Sequence, residues 1–281
     1  MPVCYRHPDR ETYIRCAHCD RPICPDCMTS ASVGFQCPEC IAEARAEARP
    51  IKSRLGATVP SRPTVTIAII ALCVAAFGWQ TLSGDAVTGD YGMWPIGVAV
   101  NDEYYRLATS MFLHGGLLHL GLNMVFLWML GPQLEYLLGH VRFAVLYAAA
   151  GLGGSIASFW FSTPNTLSVG ASGAIFGLLG AYVVVGRKLG ADIRQIVGLI
   201  VINVVLGFVL SGIDWRAHLG GLVTGALVAA VFAYAPAKGK KAYEVLGVLV
   251  ILAGIALATL VRDQQLTDEL VRQGLIAIHG G

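Results

Sequence analysis

Two side chains that lie far apart in an apolar chain have the residue types of a nucleophile and its base. Ser172 lies in the small-residue run 170–173, and His218 follows 46 positions later. Serine is a weak nucleophile unless a nearby base takes its proton, and histidine commonly serves as that base. Polar groups at membrane depth are costly and are therefore functional candidates. If both residues lie inside a membrane, the expected chemistry is hydrolysis of peptide bonds where water is scarce.

The composition indicates a membrane protein. Of the 281 residues, 55% are hydrophobic and 14% are charged, whereas about a quarter are charged in ordinary soluble domains. The formal net charge of +2 is too small to favour a nucleic-acid partner. We therefore expect an integral multi-pass protein whose surroundings are the lipid bilayer.

Seven uncharged runs are long enough to be membrane helices, given about 30 Å of hydrocarbon and about 1.5 Å of rise per residue. They cover approximately 64–82, 112–131, 143–161, 171–186, 195–212, 217–235 and 245–261. The turn composition of residues 162–166 separates the third run from the fourth. The sequence thus predicts seven helices, the fourth of them unusually short.

The distribution of Lys and Arg predicts the orientation. With a cytoplasmic N-terminus, only Arg106, Arg216, Arg262 and Arg272 among the basic residues near helix ends lie outside. We therefore expect the plasma (cytoplasmic) membrane, a cytoplasmic N-terminus and an external C-terminus. Residues 83–111 become a long external loop with aromatic rings at headgroup level. The tail from about Asp263 is expected to have little fixed structure.

The first forty residues contain four pairs of residues that commonly bind metals. In each pair, two other residues separate the two ligands. The pairs are Cys4 and His7, Cys16 and Cys19, Cys24 and Cys27, and Cys37 and Cys40. Eight such ligands suit two tetrahedral zinc ions. Spacing does not decide the pairing, but we favour a cross-braced arrangement in which the first pair joins the third and the second joins the fourth.

This cysteine segment resembles the B-box and RING type of small zinc domain. It is too short for a hydrophobic core, so we expect metal binding to supply most of its folding free energy. The alternative is a disulfide framework, but seven cysteines is an odd number and the predicted cytoplasm is reducing. His18 lies between two ligand cysteines and is interpreted as a spectator. A cytosolic protein partner is expected for the domain, and its identity stays open.

The second predicted helix carries three polar residues, His114, His119 and Asn123. His119 and Asn123 are four apart and share a helix face. Both can donate a hydrogen bond, which the oxyanion of a tetrahedral intermediate needs in a site of low dielectric constant. The alternative is that they bridge helices, which is the favoured interpretation for either residue taken alone.

Small residues favour contact between the fourth and sixth predicted helices. They are Gly173, Gly177 and Gly180 on the fourth, and Gly221 and Gly225 on the sixth. This spacing lets two backbones approach closely, so Ser172 and His218 can come within hydrogen-bond reach. Ser172 also begins its helix, where free backbone N–H groups and the positive end of the dipole lie. Alone, the run around Ser172 would indicate only helix packing.

Three separated motifs, taken in order, resemble the rhomboid intramembrane serine proteases. They are His-x4-His-x3-Asn at 114–123, Gly-x-Ser-Gly at 170–173 and Ala-His-x-Gly-Gly-x3-Gly at 217–225. The resemblance covers roughly residues 64–235. It implies an all-α polytopic membrane protein with a rhomboid-like six-helix core and a seventh C-terminal helix. In this chain, a small zinc-stabilised domain is expected before the core.

The resemblance implies a Ser–His dyad without an acidic third member. Ser172 is expected to attack the scissile carbonyl, and His218 to take its proton. His119, Asn123 and the backbone N–H of Ser172 are expected to form the oxyanion hole. Phe176 matches a position where an aromatic ring often packs under the histidine, although ordinary core packing is an alternative. No cofactor is required for catalysis.

Further positions match the family as supporting residues. Gly170 is expected to allow close approach of the substrate backbone, and His114 to support a water-filled cavity. Arg106 and Glu135 match residues of the scaffold. Tyr105 departs from the family, in which Trp often precedes that arginine, so the anchoring of the first loop is open.

The expected organisation is a zinc-binding domain at 1–41, a linker at 42–63, the protease core at 64–235, an added helix at 236–262 and an external tail at 263–281.

The predicted function is cleavage of single-span membrane-protein substrates near the external face. A catalytically silent scaffold or quality-control binder is the main alternative, but such relatives usually lack Ser172 or His218. A metalloprotease would need His-Glu-x-x-His on a helix, and a transporter would need a charge at mid-membrane.

Overall fold

The computed structural model describes residues 2–47, 50–209 and 212–275. The chain divides into two compact units, residues 1–51 and 52–281. The first unit contains the cysteine pairs, and the second contains the apolar runs.

The first unit has little regular structure. Strands β1 (Thr29–Ser30) and β2 (Phe35–Gln36) form an antiparallel hairpin, a single 3₁₀ turn covers Pro25–Cys27, and helix α1 spans Pro38–Glu47. The buried apolar side chains among its described residues are six cysteines and Ile23. One aliphatic side chain cannot offset the entropy of ordering the segment, so the cysteines must contribute through more than their apolar area.

The second unit is helical. Its helices are α2 (Thr64–Ser83), α3 (Asp85–Tyr91), α4 (Pro95–Val100), α5 (Arg106–Thr109), α6 (Leu117–Leu138), α7 (His140–Phe161), α8 (Ser172–Leu189), α9 (Arg194–Val209), α10 (Trp215–Tyr234) and α11 (Lys240–Arg272). Within the described residues, six of them are long and apolar enough to cross a membrane, and α9 is a shorter apolar helix of 16 residues. The seven predicted runs therefore correspond to α2, α6, α7, α8, α9, α10 and α11.

The core of this unit is the contact of α8 with α10 and α7. A Cβ atom on Gly221 would lie 1.9 Å from the carbonyl oxygen of Gly173, and one on Gly225 would lie 2.2 Å from that of Gly177. Real Cβ atoms do not approach this closely, so the two backbones are in contact only because these positions are glycine. Small residues have this role where helices pack in membranes.

Two predicted helix boundaries are wrong, each at a glycine. The second helix begins at Leu117, after Gly116 at φ +154°, so His114 precedes the helix instead of lying in it. The fourth helix is not unusually short, since α8 has 18 residues and continues through the basic pair 187–188. It ends at Gly190, whose left-handed conformation closes the helix.

The C-terminal segment also differs from the expectation of a poorly structured tail. Helix α11 continues to Arg272, where Leu266 and Leu270 are buried. Thr267 donates a hydrogen bond to the carbonyl of Ala99, at 3.0 Å. The sequence does not predict this extension because polar residues separate the buried leucines. The predicted tail residues 276–281 lie outside the described part of the chain.

Part of the predicted linker packs on the second unit. The hydroxyl of Ser53 donates to the carbonyl of Leu137 at 2.7 Å, and the Lys240 ammonium donates to the carbonyl of Leu55 at 2.6 Å. Leu55 is buried. Residues 52–58 are therefore an ordered segment of the helical unit.

Glu135 anchors the start of α2. Its buried carboxylate accepts hydrogen bonds from the backbone N–H groups of Val65 and Thr66, at 2.9 and 2.8 Å. A carboxylate at a helix N-terminus satisfies free donors and complements the dipole. Glu135 therefore stabilises the helical scaffold, as the family resemblance implies.

Candidate active site and candidate metal sites

Ser172 and His218 lie side by side. Ser172 is the first residue of α8, and His218 lies in the first turn of α10. Their Oγ and Nε2 atoms are 2.8 Å apart, which is a hydrogen-bond distance. His218 is 8% exposed, and its ring stacks on Phe176 with centroids 4.1 Å apart and planes 11° apart. Packing therefore holds the imidazole toward the serine.

Asp214, which was not among the predicted residues, positions the start of α10. Its carboxylate accepts hydrogen bonds from the backbone N–H of Ala217 at 3.2 Å and from the hydroxyl of Ser158 at 2.5 Å. The first contact is an N-cap. His218 Nδ1 is buried and has no hydrogen-bond partner among the described residues. An acidic residue just before an apolar run was the available signal for the cap.

His119 and Asn123 lie on one face of α6 beside the dyad. His119 Nδ1 accepts a hydrogen bond from the backbone N–H of Gly115 at 3.2 Å, which leaves Nε2 as the protonated nitrogen of a neutral ring. The Asn123 amide donates to the carbonyl of His119 at 2.8 Å and retains a second N–H. Both side chains can thus donate one hydrogen bond to a ligand.

Gly170 brings the backbone against His119. Its φ of +137° favours glycine. A Cβ atom there would lie 2.9 Å from His119 Nε2 and 3.6 Å from Ser172 Oγ. The absence of a side chain keeps open the space between the serine and the imidazole donor. Next to this space, the N–H of Ser172 lies in the first turn of α8, where backbone donors have no intrahelical acceptor.

His114 lies behind His119, in the segment before α6. Its ring is 2% exposed and meets His119 edge-on, with centroids 5.3 Å apart. Gln80 of α2 holds the backbone of His114 through both its amide oxygen and its amide nitrogen, at 3.0 and 3.2 Å. Gln80 was not among the predicted residues, although it is the one glutamine in the apolar run of α2.

A cavity of about 980 Å³ contains the dyad and the two donors. Among the described residues, its lining comes from α6, α8, α9, α10 and the segments between them. Leu118, Phe126 and Leu179 supply apolar walls, while Ser172 and His218 supply polar groups. A few polar groups in an apolar cleft of this size are typical of a ligand site.

Arg106 organises the loop 83–111. Its guanidinium is 3% exposed and pairs with Glu103 at 2.6 Å. It also donates to the carbonyl of Gly92 at 2.9 Å and lies 5.7 Å from the ring centroids of both Trp94 and Tyr105. Tyr105 therefore supplies an aromatic face to the arginine, despite its departure from the expected tryptophan.

The Rhomboid domain family matches residues 101–235. This range contains all the residues of the site that come from α6, α8 and α10. The chain is 38% identical to the rhomboid protein YdcA of Bacillus subtilis over 149 residues, which cover 51% of this chain and 72% of YdcA. The chain belongs to the rhomboid family. Because six helices in the described part of the chain are long and apolar enough to cross a membrane, this rhomboid protein is an integral multi-pass membrane protein.

Two further relatives are longer than this rhomboid protein. The rhomboid protease GluP of Bacillus subtilis is 36% identical over 204 residues, which are 68% of this chain and 39% of GluP. Rhomboid-type serine protease 2 of Emericella nidulans is 31% identical over 131 residues, which are 44% of this chain and 26% of that protein. The chain thus spans well under half the length of both. The matched family region begins after the cysteine pairs.

The first unit holds two groups of four potential metal ligands. Cys4, His7, Cys24 and Cys27 form one group, and Cys16, Cys19, Cys37 and Cys40 form the other. Within each group, the ligand atoms all lie within 4.8 Å of one another. The first pair thus joins the third and the second joins the fourth, which is the cross-braced arrangement favoured above. His18 belongs to neither group and is exposed.

The separations suit a metal better than disulfides. His7 Nδ1 is 3.3 Å from the sulfurs of both Cys24 and Cys27, and the sulfurs of Cys19 and Cys37 are 3.7 Å apart. Ligands arranged tetrahedrally around zinc are about 3.5 to 3.8 Å apart, whereas bonded sulfurs are about 2.05 Å apart. All the cysteines are free thiols. Each group can therefore bind one metal ion.

Two of these thiols have lowered pKa values. Burial raises the pKa of Cys4, but hydrogen bonds from the backbone of Arg6 and Cys24 and from His7 outweigh it and lower the pKa to about 6. Backbone hydrogen bonds likewise outweigh burial at Cys16 and lower its pKa to about 6. Thiolates are the form that binds metals, so these hydrogen bonds favour the metal-binding form of Cys4 and Cys16.

Proposed function

We propose that this protein is an intramembrane serine endopeptidase that uses Ser172 and His218 as a dyad. The observation that carries the proposal is the 2.8 Å separation of Ser172 Oγ and His218 Nε2 inside a cavity of the helical unit. The names of two relatives, a rhomboid protease and a rhomboid-type serine protease, agree with this activity.

In the proposed reaction, Ser172 Oγ attacks the carbonyl carbon of the scissile peptide bond, and His218 Nε2 takes the hydroxyl proton. The tetrahedral intermediate then collapses, the C–N bond breaks, and His218 returns the proton to the leaving amine. A water molecule hydrolyses the resulting ester, again with His218 as base, and regenerates Ser172. The stacked Phe176 ring keeps the imidazole oriented in place of an acidic third member.

We infer that the oxyanion is stabilised by His119 Nε2, the free N–H of Asn123 and the backbone N–H of Ser172. Fixed donors in a dry cavity are worth more than donors in water, because they need no reorganisation as charge develops. The N-terminus of α8 adds its dipole. Gly170 leaves the space in which the carbonyl oxygen would lie, and His114 packs behind His119 as support.

The proposed substrates are transmembrane segments of single-span membrane proteins, cut near the external face of the plasma membrane. This face follows from the predicted topology, with the N-terminus cytoplasmic and the C-terminus external. We assign the protease core to residues 64–235 and identify the added helix as α11, Lys240–Arg272. The reaction requires no cofactor.

We propose zinc as the metal of the first unit, one ion in each group of four ligands. Seven thiolates and one imidazole are soft and borderline donors, which select zinc over calcium or magnesium. Zinc would hold the 1–41 domain folded, and its exposed surface would contact a cytosolic protein. Counting ions by native mass spectrometry, with and without a chelator, tests this assignment. A mass with fewer than two zinc ions would contradict it.

Cleavage by the purified protein in vesicles tests the proposed activity. A labelled transmembrane peptide should be cut by the wild type, and Ser172→Ala should lower the rate by about 10³-fold or more, since the nucleophile is gone. Ser83→Ala, at the exposed end of α2, is the matched control and should retain activity. Equal cleavage by Ser172→Ala and the wild type would contradict the dyad. Peptide binding without cleavage would favour the silent scaffold instead.

A further inference from the structure

Arg216 is a cation without an ionic partner in the cavity that contains the dyad. It lies two residues before His218 and is the only Lys or Arg among the described lining residues. Its guanidinium lies 4.8 Å from the centroid of the Trp215 ring. No hydrogen bond or ion pair joins the guanidinium to any other residue in the described part of the chain.

The stability of α10 does not account for a cation at this position. Arg216 is the second residue of the helix, where the positive end of the dipole disfavours a positive charge. Asp214 is the one carboxylate among the described lining residues, and its oxygens already accept from Ser158 and Ala217. No carboxylate described in the cavity therefore pairs directly with the guanidinium.

We propose that Arg216 is a specificity-determining residue that binds a carboxylate of the substrate, supplied by an Asp or Glu near the scissile bond. This inference rests on the proposed function. The planar guanidinium can donate two parallel hydrogen bonds to one carboxylate. The partly apolar walls of the cavity strengthen such a pair relative to one in water. The favoured substrates are then membrane segments whose cleavage region carries an acidic side chain.

A substrate carboxylate fits better than a lipid phosphate because of where Arg216 lies. Arg216 lines the same cavity as Ser172, Asn123 and His119. A polypeptide must enter this cavity to be cut, whereas a lipid headgroup needs only the outer surface of the helices. The half-buried side chain, held against Trp215, is thus placed for a ligand that reaches the dyad.

Matched peptides test the proposal in the full-length protein in vesicles. A transmembrane peptide receives Glu, Gln or Lys at single positions within four residues of its cleaved bond, and kcat/KM is measured for each. At one or more positions, the wild type should prefer Glu over Gln by about tenfold, as expected of a charged hydrogen bond. Arg216→Gln should bring this ratio close to one, and Arg216→Glu should favour Lys over Glu.

The control is Arg272→Gln, which removes an exposed cation from α11, outside the described cavity lining, and should keep the wild-type ratio. A reversed preference in Arg216→Glu cannot result from misfolding. A wild-type ratio near one at every position, or a ratio unchanged in Arg216→Gln, would overturn the proposal. The proposal would also be overturned if Arg216→Gln lowered kcat/KM equally for the Glu and Gln peptides, and did so only in vesicles with anionic lipids. That result would assign Arg216 to lipid headgroups.

Fluorescence anisotropy of the same peptides, bound to the wild type and to Ser172→Ala, separates this inference from the proposed activity. A protein that cuts neither peptide but binds the Glu peptide more tightly through Arg216 would contradict the hydrolysis and support the carboxylate site. A protein that cuts both peptides equally and binds them equally would support the hydrolysis and overturn the carboxylate site.

Discussion

The cysteine-rich unit, with its two candidate metal sites, and the helical unit bring side chains together in opposite ways. In the first, each pair of ligands lies within four residues of chain, as in Cys24 and Cys27, and only the joining of pairs depends on the fold. In the second, Ser172 and His218 are 46 residues apart and meet because α8 and α10 touch at glycines. We therefore expect the first unit to unfold when bound metal is removed, and the second to lose cleavage activity when α8 and α10 are separated.

Removal of metal should have the largest effect. Chelation should unfold the described part of the first unit, because binding of a structural zinc contributes about 10 kcal/mol or more to folding. The helical unit should retain its thermal midpoint, since its core contains no ligand of either group. Limited trypsin cleavage, read by mass spectrometry, measures the first effect, and scanning fluorimetry in detergent measures the second.

A matched pair of histidines sharpens this test. His7→Ala removes one ligand and should make the unit sensitive to trypsin, whereas His18→Ala changes an exposed residue outside both groups and should not. Return of resistance on adding zinc would assign the loss to the ion. A stripped protein that stays resistant to trypsin would contradict a structural role for metal.

Separation of the two helices should have the next largest effect. Gly221→Ala places a Cβ atom against the backbone oxygen of Gly173, which cannot rotate away. We expect a loss of about 1 to 3 kcal/mol in stability from overpacking. Because about 1 Å of misplacement can cost 10²-fold in rate, we expect a loss of cleavage on that order, measured with the transmembrane peptide.

The control for this change is Gly78→Ala in α2, where a Cβ atom would meet nothing within 4 Å. Alanine is a better helix former than glycine, so this variant should keep its activity and unfold no earlier than the wild type. If Gly221→Ala behaved like Gly78→Ala, the close contact of α8 and α10 would not be what aligns the dyad.

Loss of the ring under His218 should have the smallest effect. Phe176→Leu keeps an apolar side chain but removes the stacked plane. Such ring contacts contribute about 0.5 to 1.5 kcal/mol, so kcat/KM should fall by about threefold to tenfold with little change in thermal midpoint. Phe161→Leu, at the exposed end of α7, should leave kcat/KM unchanged. Equal effects of the two variants would limit Phe176 to general packing.

Much of the fold followed from the sequence because long apolar runs and turn compositions are local signals. All seven predicted runs correspond to helices, and the errors lie at their ends. Helix α6 begins after His114 because Gly116 adopts a conformation that favours glycine. Hydropathy does not indicate the conformation of a single glycine. The extension of α11 was missed because Leu266 is buried by packing on distant residues.

The candidate site was predicted in its reactive groups and in some of its supports, namely Gly170, His114 and Phe176, but not in Gln80 and Asp214. Ser172, His218, His119 and Asn123 are polar residues in apolar runs, and the resemblance of their ordered motifs to a known family implied their roles. Gln80 and Asp214 act through hydrogen bonds to His114 and to the start of α10. Nothing in their spacing from those partners distinguishes them from ordinary polar residues at helix ends.

By itself, the sequence determined the candidates for the chemistry, namely the spaced cysteines and the polar residues of three ordered motifs, because residue type and position along the chain suffice to single them out. Only the tertiary structure decided that Ser172 meets His218 at 2.8 Å, that Gly170 keeps the space beside His119 open, and that Arg216 shares their cavity. Those contacts depend on how closely helices pack, which is a property of surfaces brought together from distant parts of the chain.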